Sequence, residues 1–234
     1  MLVSVVTVCY NAVNDIESTI QSVINQTLPK EYIIVDGGST DGTLNIIDQY
    51  KCHLSHLISE PDEGIYDAMK KGLALATGDW ILFMNSGDRF VDNHVLESMP
   101  LDDKYIAVYG NAIYKTKKSD SVRKGRKESY IGRNMPIAHQ AFFVKTKFAR
   151  EIGFDTRYKY AADYNMIYQL YRKYGKSAFH YVDVNVCIYE AREGYSLLHP
   201  NEVFGETILI RDVGIIQIFD KCKYIIKKNL FGYK

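Results

Sequence analysis

Net charge is almost absent from this sequence: 29 Lys and Arg against 28 Asp and Glu leave a formal +1. That gives no overall pull toward nucleic acid, and none is expected as a partner. Cysteine is sparse and scattered, as Cys9, Cys52, Cys187 and Cys222. No two of them have the spacing of a zinc site or a redox motif, so four reduced thiols in a cytosolic protein are expected. No stretch reaches the roughly 18 apolar residues of a membrane span. The apolar opening, residues 1–8, is too short for a signal peptide, and Asn11, Asn14 and Asp15 follow at once. These absences point to a chain made and kept in the cytoplasm. Internal repeats and low-complexity segments are missing too. There is no Gly-x-Gly-x-x-Gly after the first apolar run, which argues against a dinucleotide cofactor, and no Walker-type loop with Lys-Ser or Lys-Thr.

What is present is a chain of 234 residues, enough for one large domain or one domain with an appendage. Apolar residues make up 47%, which suits a globular protein with a substantial core. Tyrosine is abundant, at 19, and its ring with a polar tip suits stacking on a base or a sugar as well as ordinary cores. Residues 2–9 form a continuous β-branched run, as in a strand buried on both faces. Asn14 with Glu17 reads as a capping box for a helix with Ile16, Ile20, Val23 and Ile24 on one face. Further strands are expected at 32–35, 57–58 and 80–84. A second helix carries Leu44, Ile47 and Tyr50; a third carries Ile65, Met69, Gly72, Leu73 and Ala76 and ends at Gly78. Alternating β and α signals predict an α/β fold with a mostly parallel sheet and helices on both faces. The second half is less regular. Strands are expected at 105–114, 141–144 and 179–189, and helices at 163–174 and from 202 onward.

Open parallel sheets bind ligands at the carboxyl ends of their strands. The first strand ends in Cys9-Tyr10-Asn11, the second in Asp36-Gly37-Gly38-Ser39, the third in Ser59-Glu60-Pro61-Asp62 and the fourth in Asn85-Ser86-Gly87-Asp88. All four ends are polar and three contain carboxylates, a pattern that marks a site. Asp36 is suited to accept the N–H of a pyrimidine base, and Tyr10 to stack on it. Gly37 and Gly38 allow close backbone approach. Asp88, a hard oxygen ligand in a turn, suits a magnesium or manganese ion that holds a diphosphate.

The run Val3-Ser4-Val5-Val6-Thr7-Val8-Cys9-Tyr10-Asn11 resembles the opening of family 2 glycosyltransferases. Ile34-Val35-Asp36-Gly37-Gly38-Ser39-Thr40-Asp41-Gly42-Thr43 is similar to their nucleotide-binding motif. Residues 60–72, beginning Glu60-Pro61-Asp62-Glu63-Gly64, match a bacterial surface-polysaccharide subgroup. Ala76-Thr77-Gly78-Asp79 with Phe83-Met84-Asn85-Ser86-Gly87-Asp88 looks like the metal-binding segment. The likeness is dense over about the first 90 residues and continues in islands to about residue 200.

This resemblance implies a GT-A fold: a Rossmann-like, nucleotide-sugar-binding half at 1–100, an acceptor half at 101–200 and a C-terminal helical extension. It also implies inverting transfer from a nucleoside-diphosphate sugar, with UDP as the expected nucleotide, aided by Mn2+ or Mg2+. Thr7, Tyr10, Asp36 and Ser39 would hold the nucleoside. Asp67 and Lys70 would lie near it, Ser86 and Gly87 would line the donor site, and Asp88 would bind the metal. The family's metal motif is usually acidic where Asn85 and Gly87 stand here, which opens the alternative of a metal-poor or inactive protein. Pro136-Ile137-Ala138-His139-Gln140-Ala141-Phe142-Phe143 resembles the segment lining the sugar and acceptor side. There His139 would contact donor sugar, acceptor or metal, or serve only as a satisfied core residue. Tyr160-Ala161-Ala162-Asp163-Tyr164 resembles the catalytic-base segment, with a plain N-cap as the other reading of Asp163. As base, Asp163 would take the proton of the acceptor hydroxyl in one direct, inverting displacement.

Residues 115–133 hold eight Lys or Arg and two Asp or Glu. They read as a solvated hairpin, or as a lid or contact for an anionic acceptor. The tail, 201–234, alternates apolar residues such as Ile215, Ile218, Ile225 and Phe231 with Lys221, Lys223, Lys227 and Lys228. Such a helix suits the inner face of the cell membrane, or packing on its own domain or on a second subunit as a homo-oligomer. The acceptor expected is a glycan or lipid-linked oligosaccharide. The competing functions are a sugar nucleotidyltransferase, which should carry a Gly-rich basic loop where Tyr10-Asn11-Ala12 stands, and a nucleotide-sugar-binding protein without catalysis.

Overall fold

The structure is a computed structural model and describes residues 1–116, 119–131, 135, 137–190 and 199–211. Its first half is a run of β-α units: β1 (Val3–Cys9), α1 (Ile16–Ile24), β2 (Lys30–Asp36), α2 (Thr43–Gln49), β3 (His56–Ser59), α3 (Ile65–Leu75) and β4 (Trp80–Phe83). Then come β5 (Arg89–Phe90), α4 (Val95–Ser98), β6 (Ala107–Lys115), β7 (Asp120–Arg123), β8 (Phe142–Lys145) and α5 (Thr146–Ile152). The described chain closes with α6 (Ala162–Tyr174), β9 (Phe179–Glu190) and α7 (Pro200–Ile210).

The strands make one nine-stranded sheet in the order β3-β2-β1-β4-β8-β6-β9-β5, with β7 on β6. β3, β2, β1 and β4 are parallel neighbours. β8 runs against both β4 and β6, and β9 returns parallel to β6. β5 and β7 run against β9 and β6, so six strands point one way and three the other. The expected α/β fold with a mostly parallel sheet is thus present.

All seven residues of β1 are buried, as a β-branched run between two helical layers requires. Alternate residues face opposite cores. Val6, Val8, Ile33 and Val35 join Met69 and Leu73 of α3 and Met166 and Leu170 of α6. Val5, Tyr32 and Ile34 join Ile16, Ile20 and Val23 of α1 and Ile47 of α2. Gly72 lets α3 lie flat on the sheet: a Cβ there would stand 2.4 Å from Val6 Cγ1.

Several local expectations are corrected. The Asn14–Glu17 capping box does not form: Asp15 is the N-cap of α1 and makes no side-chain cap bond. Glu17 is engaged instead by the Tyr50 hydroxyl, at 2.7 Å. α3 stops at Leu75, and Gly78 serves the sheet edge, its N–H donating to Ser4 Oγ at 2.9 Å. α4, α5, β5 and β7 were not anticipated. β7, within the basic segment, pairs with β6 as an exposed hairpin strand. α7, the start of the expected tail, packs on α6 through Ile210, which meets Ala161, Tyr164 and Tyr168. The rest of the tail, 212–234, lies outside the described residues.

Candidate active site

The loops after β1 and β2 are tied to each other before they reach any ligand. Asn11, in the left-handed region at φ 47°, accepts the Thr40 N–H on its Oδ1 at 2.9 Å and donates its own N–H to Ser39 Oγ at 2.8 Å. Asp41 accepts the Val13 N–H at 3.0 Å and the Thr43 N–H at 3.0 Å. Asp36 is fully buried. It accepts from Gly38 N–H at 3.2 Å, Ser39 N–H at 3.0 Å, Ser59 Oγ at 2.8 Å and also Ser39 Oγ. Both carboxylate oxygens are therefore engaged within the chain. Asp36 anchors the Gly-Gly-Ser turn. Ser39 is part of the same anchor.

The anchored loops border a cleft of about 840 Å³, lined among others by Tyr10, Asn11, Asp62, Asp67, Ser86 and Lys159. Tyr10 is 64% exposed at its mouth, free to receive a flat ring. Asp62 caps the N–H of Gly64 at 2.8 Å and lies so close to Gly37 that a Cβ there would meet its Oδ2 at 2.4 Å. Asp67, in the first turn of α3, pairs with Lys71 at 3.4 Å. A second cavity of about 300 Å³ shares Ile65 and Tyr66 with the cleft and is lined by His139, Asp163, Tyr114, Arg123 and Tyr160.

Asp163 sits beside this junction. Its Oδ1 accepts from the Tyr66 hydroxyl at 2.9 Å and the Tyr164 N–H at 2.8 Å; its Oδ2 accepts from His139 Nδ1 at 2.8 Å. His139 Nε2 faces Asn85 Nδ2 at 3.1 Å, which assigns the neutral ring its proton on Nδ1. Burial works to raise the Asp163 pKa, but the hydrogen bond and charge of His139, with the other two donors, outweigh it and hold the carboxyl below its ordinary range. The same pairing acts in reverse on His139. Burial disfavours its cation, yet Asp163 outweighs that and raises its pKa. Asp163 is thus ionised at neutral pH, and a carboxylate oxygen has room for further donors.

Asp88 differs. It is 5% exposed, lines neither cavity, and accepts from Gln140 Nε2 at 2.7 Å and the Glu190 N–H at 3.3 Å. Burial pushes its pKa up to about 7. Among the described residues no three His, Cys, Asp or Glu side chains converge as a metal centre. The oxygens available to a hard cation lie beside it: Asn85 Oδ1 and Ser86 Oγ are buried without a hydrogen-bond partner, and both residues line the cleft. Neutral oxygens of this kind are donors that Mg2+ or Mn2+ accepts. Gly87, at φ 94°, makes the turn between Ser86 and Asp88, with its N–H on Thr19 Oγ1 at 3.0 Å.

Two sequence expectations are corrected. Thr7 is fully buried inside the sheet, its hydroxyl tied to Met84 O at 2.8 Å and paired with Tyr32 at 3.1 Å, so it does not reach a nucleoside. Lys70 is exposed and lines neither cavity; Lys71, one residue on, holds Asp67 and Glu60. Sequence reasoning gave no role to Tyr66, Asp62, Gln140, Tyr158 or Lys159. Tyr66, Asp62 and Gln140 stood inside recognised motifs, whereas Tyr158 and Lys159 carried no signal.

The arrangement is a cleft at the carboxyl ends of β1, β3 and β4 that shares Ile65 and Tyr66 with a tyrosine-rich cavity lined by an ionised carboxylate. The profile of the family described as Glycosyl transferase family 2 matches residues 4–174, and the chain belongs to that family. A PGL/p-HBAD biosynthesis glycosyltransferase of Mycobacterium bovis is 31% identical over 179 residues, 69% of this chain and 66% of that protein. A protein named for teichuronic acid biosynthesis, the glycosyltransferase TuaG of Bacillus subtilis, is 42% identical over 95 residues, 38% of this chain and 37% of its own. Glucosyl-3-phosphoglycerate synthase from Mycobacterium tuberculosis, solved with Mn2+, uridine diphosphate and glucosyl-3-phosphoglycerate, superposes with a TM-score of 0.62 at 17% identity, over 94% of this chain and 80% of that one. The last likeness is one of fold, the GT-A fold.

Proposed function

We propose that this glycosyltransferase moves a sugar, with inversion, from a UDP-sugar to a hydroxyl of a glycan or lipid-linked acceptor in bacterial surface polysaccharide synthesis. The observation that carries the reading is Asp163, an ionised carboxylate beside the junction of the two cavities. In this reading the larger cleft takes the nucleotide. Tyr10 stacks on the base, and the loop anchored by Asp36 and Ser39 closes around it. The smaller cavity takes the acceptor, whose hydroxyl gives its proton to Asp163 as it attacks the anomeric carbon. His139 and Tyr66 hold the carboxylate in place. Asn85, Ser86 and Asp88 would hold Mn2+ or Mg2+. When bound, the cation offsets the charge that develops on the leaving diphosphate. The names of the relatives support the surface-polymer setting, and the UDP and Mn2+ of the mycobacterial synthase support the donor and the ion. Residues 1–200 form the body of the catalytic unit in this reading; within the tail, 201–234, α7 packs on α6 and 215–228 would meet the inner membrane surface. Family membership replaces the nucleotidyltransferase alternative.

A thermal-shift screen against nucleotide sugars, with and without Mn2+, followed by assay of released UDP, tests the proposal. One donor should raise the melting temperature, more so with metal. Stabilisation by a donor that is never turned over with any acceptor would favour a binding protein instead.

A further inference from the structure

α6 begins badly by itself. Its N-cap is Ala161 and its first residue Ala162, so no side chain at the cap satisfies the free N–H groups of the first turn. Asp163, the nearest acidic residue, accepts one of them, from Tyr164, and turns its other contacts to Tyr66 and His139. An acceptor from α7 holds the segment that leads into the helix. Glu206 Oε1 accepts the Lys159 N–H at 2.9 Å, and Oε2 accepts those of Tyr160 at 2.8 Å and Ala161 at 2.9 Å. Three successive amides thus converge on one carboxylate at the positive end of a 13-residue helix, where charge and hydrogen bonding reinforce each other.

The amides held this way belong to the wall between the two cavities. Thr156, Tyr158 and Lys159 line the larger cleft, while Tyr160, Ala161 and Asp163 line the smaller. Glu206 lines neither and lies past residue 174, where the family match ends. We infer that Glu206 is a positioning residue: it clamps the segment 159–161, and through it sets the placement of Asp163. This rests on the transfer reading of the site. It makes α7 part of the catalytic apparatus, because the clamped segment runs directly into the first turn of α6, where Asp163 stands two residues on.

The test compares Glu206→Gln, Glu206→Asp and Leu209→Ala, the last on the exposed side of the same helix. The glutamine keeps shape but sets an NH2 group against amide donors; the aspartate keeps charge but is one methylene shorter. Misplacing a reacting group by about 1 Å costs up to roughly a hundredfold. In Glu206→Gln, kcat for UDP release should therefore fall roughly tenfold or more while donor KM stays within about threefold. Glu206→Asp should fall between, and Leu209→Ala should match the wild type. Amide hydrogen exchange at 159–161 should be slow in the wild type and fast in Glu206→Gln. A Glu206→Gln enzyme with wild-type kcat, or one altered in KM alone, overturns the inference. If Glu206→Gln does not fold, the kcat of Glu206→Asp and the wild-type exchange pattern decide. If the wild type releases UDP from no nucleotide sugar, the transfer reading fails. The clamp is then judged by exchange alone: equal rates in wild type and Glu206→Gln overturn it, and selective loss of protection supports it.

Discussion

Asp163 and Asp88 are both largely buried carboxylates, yet their pKa values move in opposite directions, because neighbours outweigh burial at Asp163 and burial outweighs neighbours at Asp88. Asp163 has three donors and a partner able to carry positive charge, so it stays ionised. Asp163→Asn keeps the shape and removes the proton acceptor, and the transfer rate should fall about a hundredfold to ten-thousandfold with donor affinity retained. Near-normal transfer by that variant would remove Asp163 from the mechanism. Asp88, by contrast, is pushed up to about 7 from an ordinary 3.8. Between those values the folded chain holds a proton that the unfolded chain has lost, so stability should decline as pH rises through this window. In the presence of a chelator, Asp88→Asn should gain on the wild type in denaturant melts from about pH 4.5 to about pH 7.5. Parallel curves would refute the burial argument. A metal needs the ionised form, so the melting shift caused by Mn2+ should be larger at pH 8 than at pH 6. At this level the motifs placed Tyr10, Asp67, Ser86, His139 and Asp163 at the cavities. They misplaced Thr7 and Lys70, because a motif says which residues recur and not which face of the strand or helix each occupies.

Helix and strand identities in the first half were legible because their periods are clean: unbroken β-branched runs for buried strands, and a 3.6-residue apolar stripe for α1 and α3. The boundaries slipped where side chains found distant partners, as Glu17 did in Tyr50. α5 was missed because its seven residues, with only Thr146 and Ala149 buried, carry too few apolar positions to show a stripe. The close packing of α3 on β1 is open to a direct test. Gly72→Ala places a methyl 2.4 Å from Val6 Cγ1, so helix or sheet must shift. The alanine's better helix propensity, about 1 kcal/mol, is outweighed by overpacking of about 1–3 kcal/mol. A lower urea midpoint with unchanged slope is expected; a higher midpoint would mean that α3 rides further from the sheet. Glu206 had no signal in the sequence, since a carboxylate that holds backbone amides some 45 residues upstream leaves no local pattern.

For the molecule as a whole, composition and the β-α rhythm sufficed for the fold class, but not for the crossed order β4-β8-β6-β9-β5, which long-range pairing decides. The tail beyond Arg211 remains a proposal about a surface. If 215–228 meets anionic lipid, each Lys contributes roughly 1 kcal/mol, screened by salt. The full chain should then co-sediment with anionic liposomes at low salt and partly release at high salt, while a chain cut after Asp212 stays in solution. Identical behaviour of the two would place the tail on the protein itself. The sheet order also has a consequence in time. β1 to β4 pair with one another inside the first 83 residues, so this half can form while the rest of the chain is still being synthesised. β5 has to wait for β9, about a hundred residues later: Arg89 pairs with Ile188, and the Glu190 N–H reaches back to Asp88. A nascent chain shorter than about 190 residues therefore holds the nucleotide loops but not the finished floor beneath them. The ribosome delivers the two halves of the site in a fixed order, with the turn at Asp88 set last.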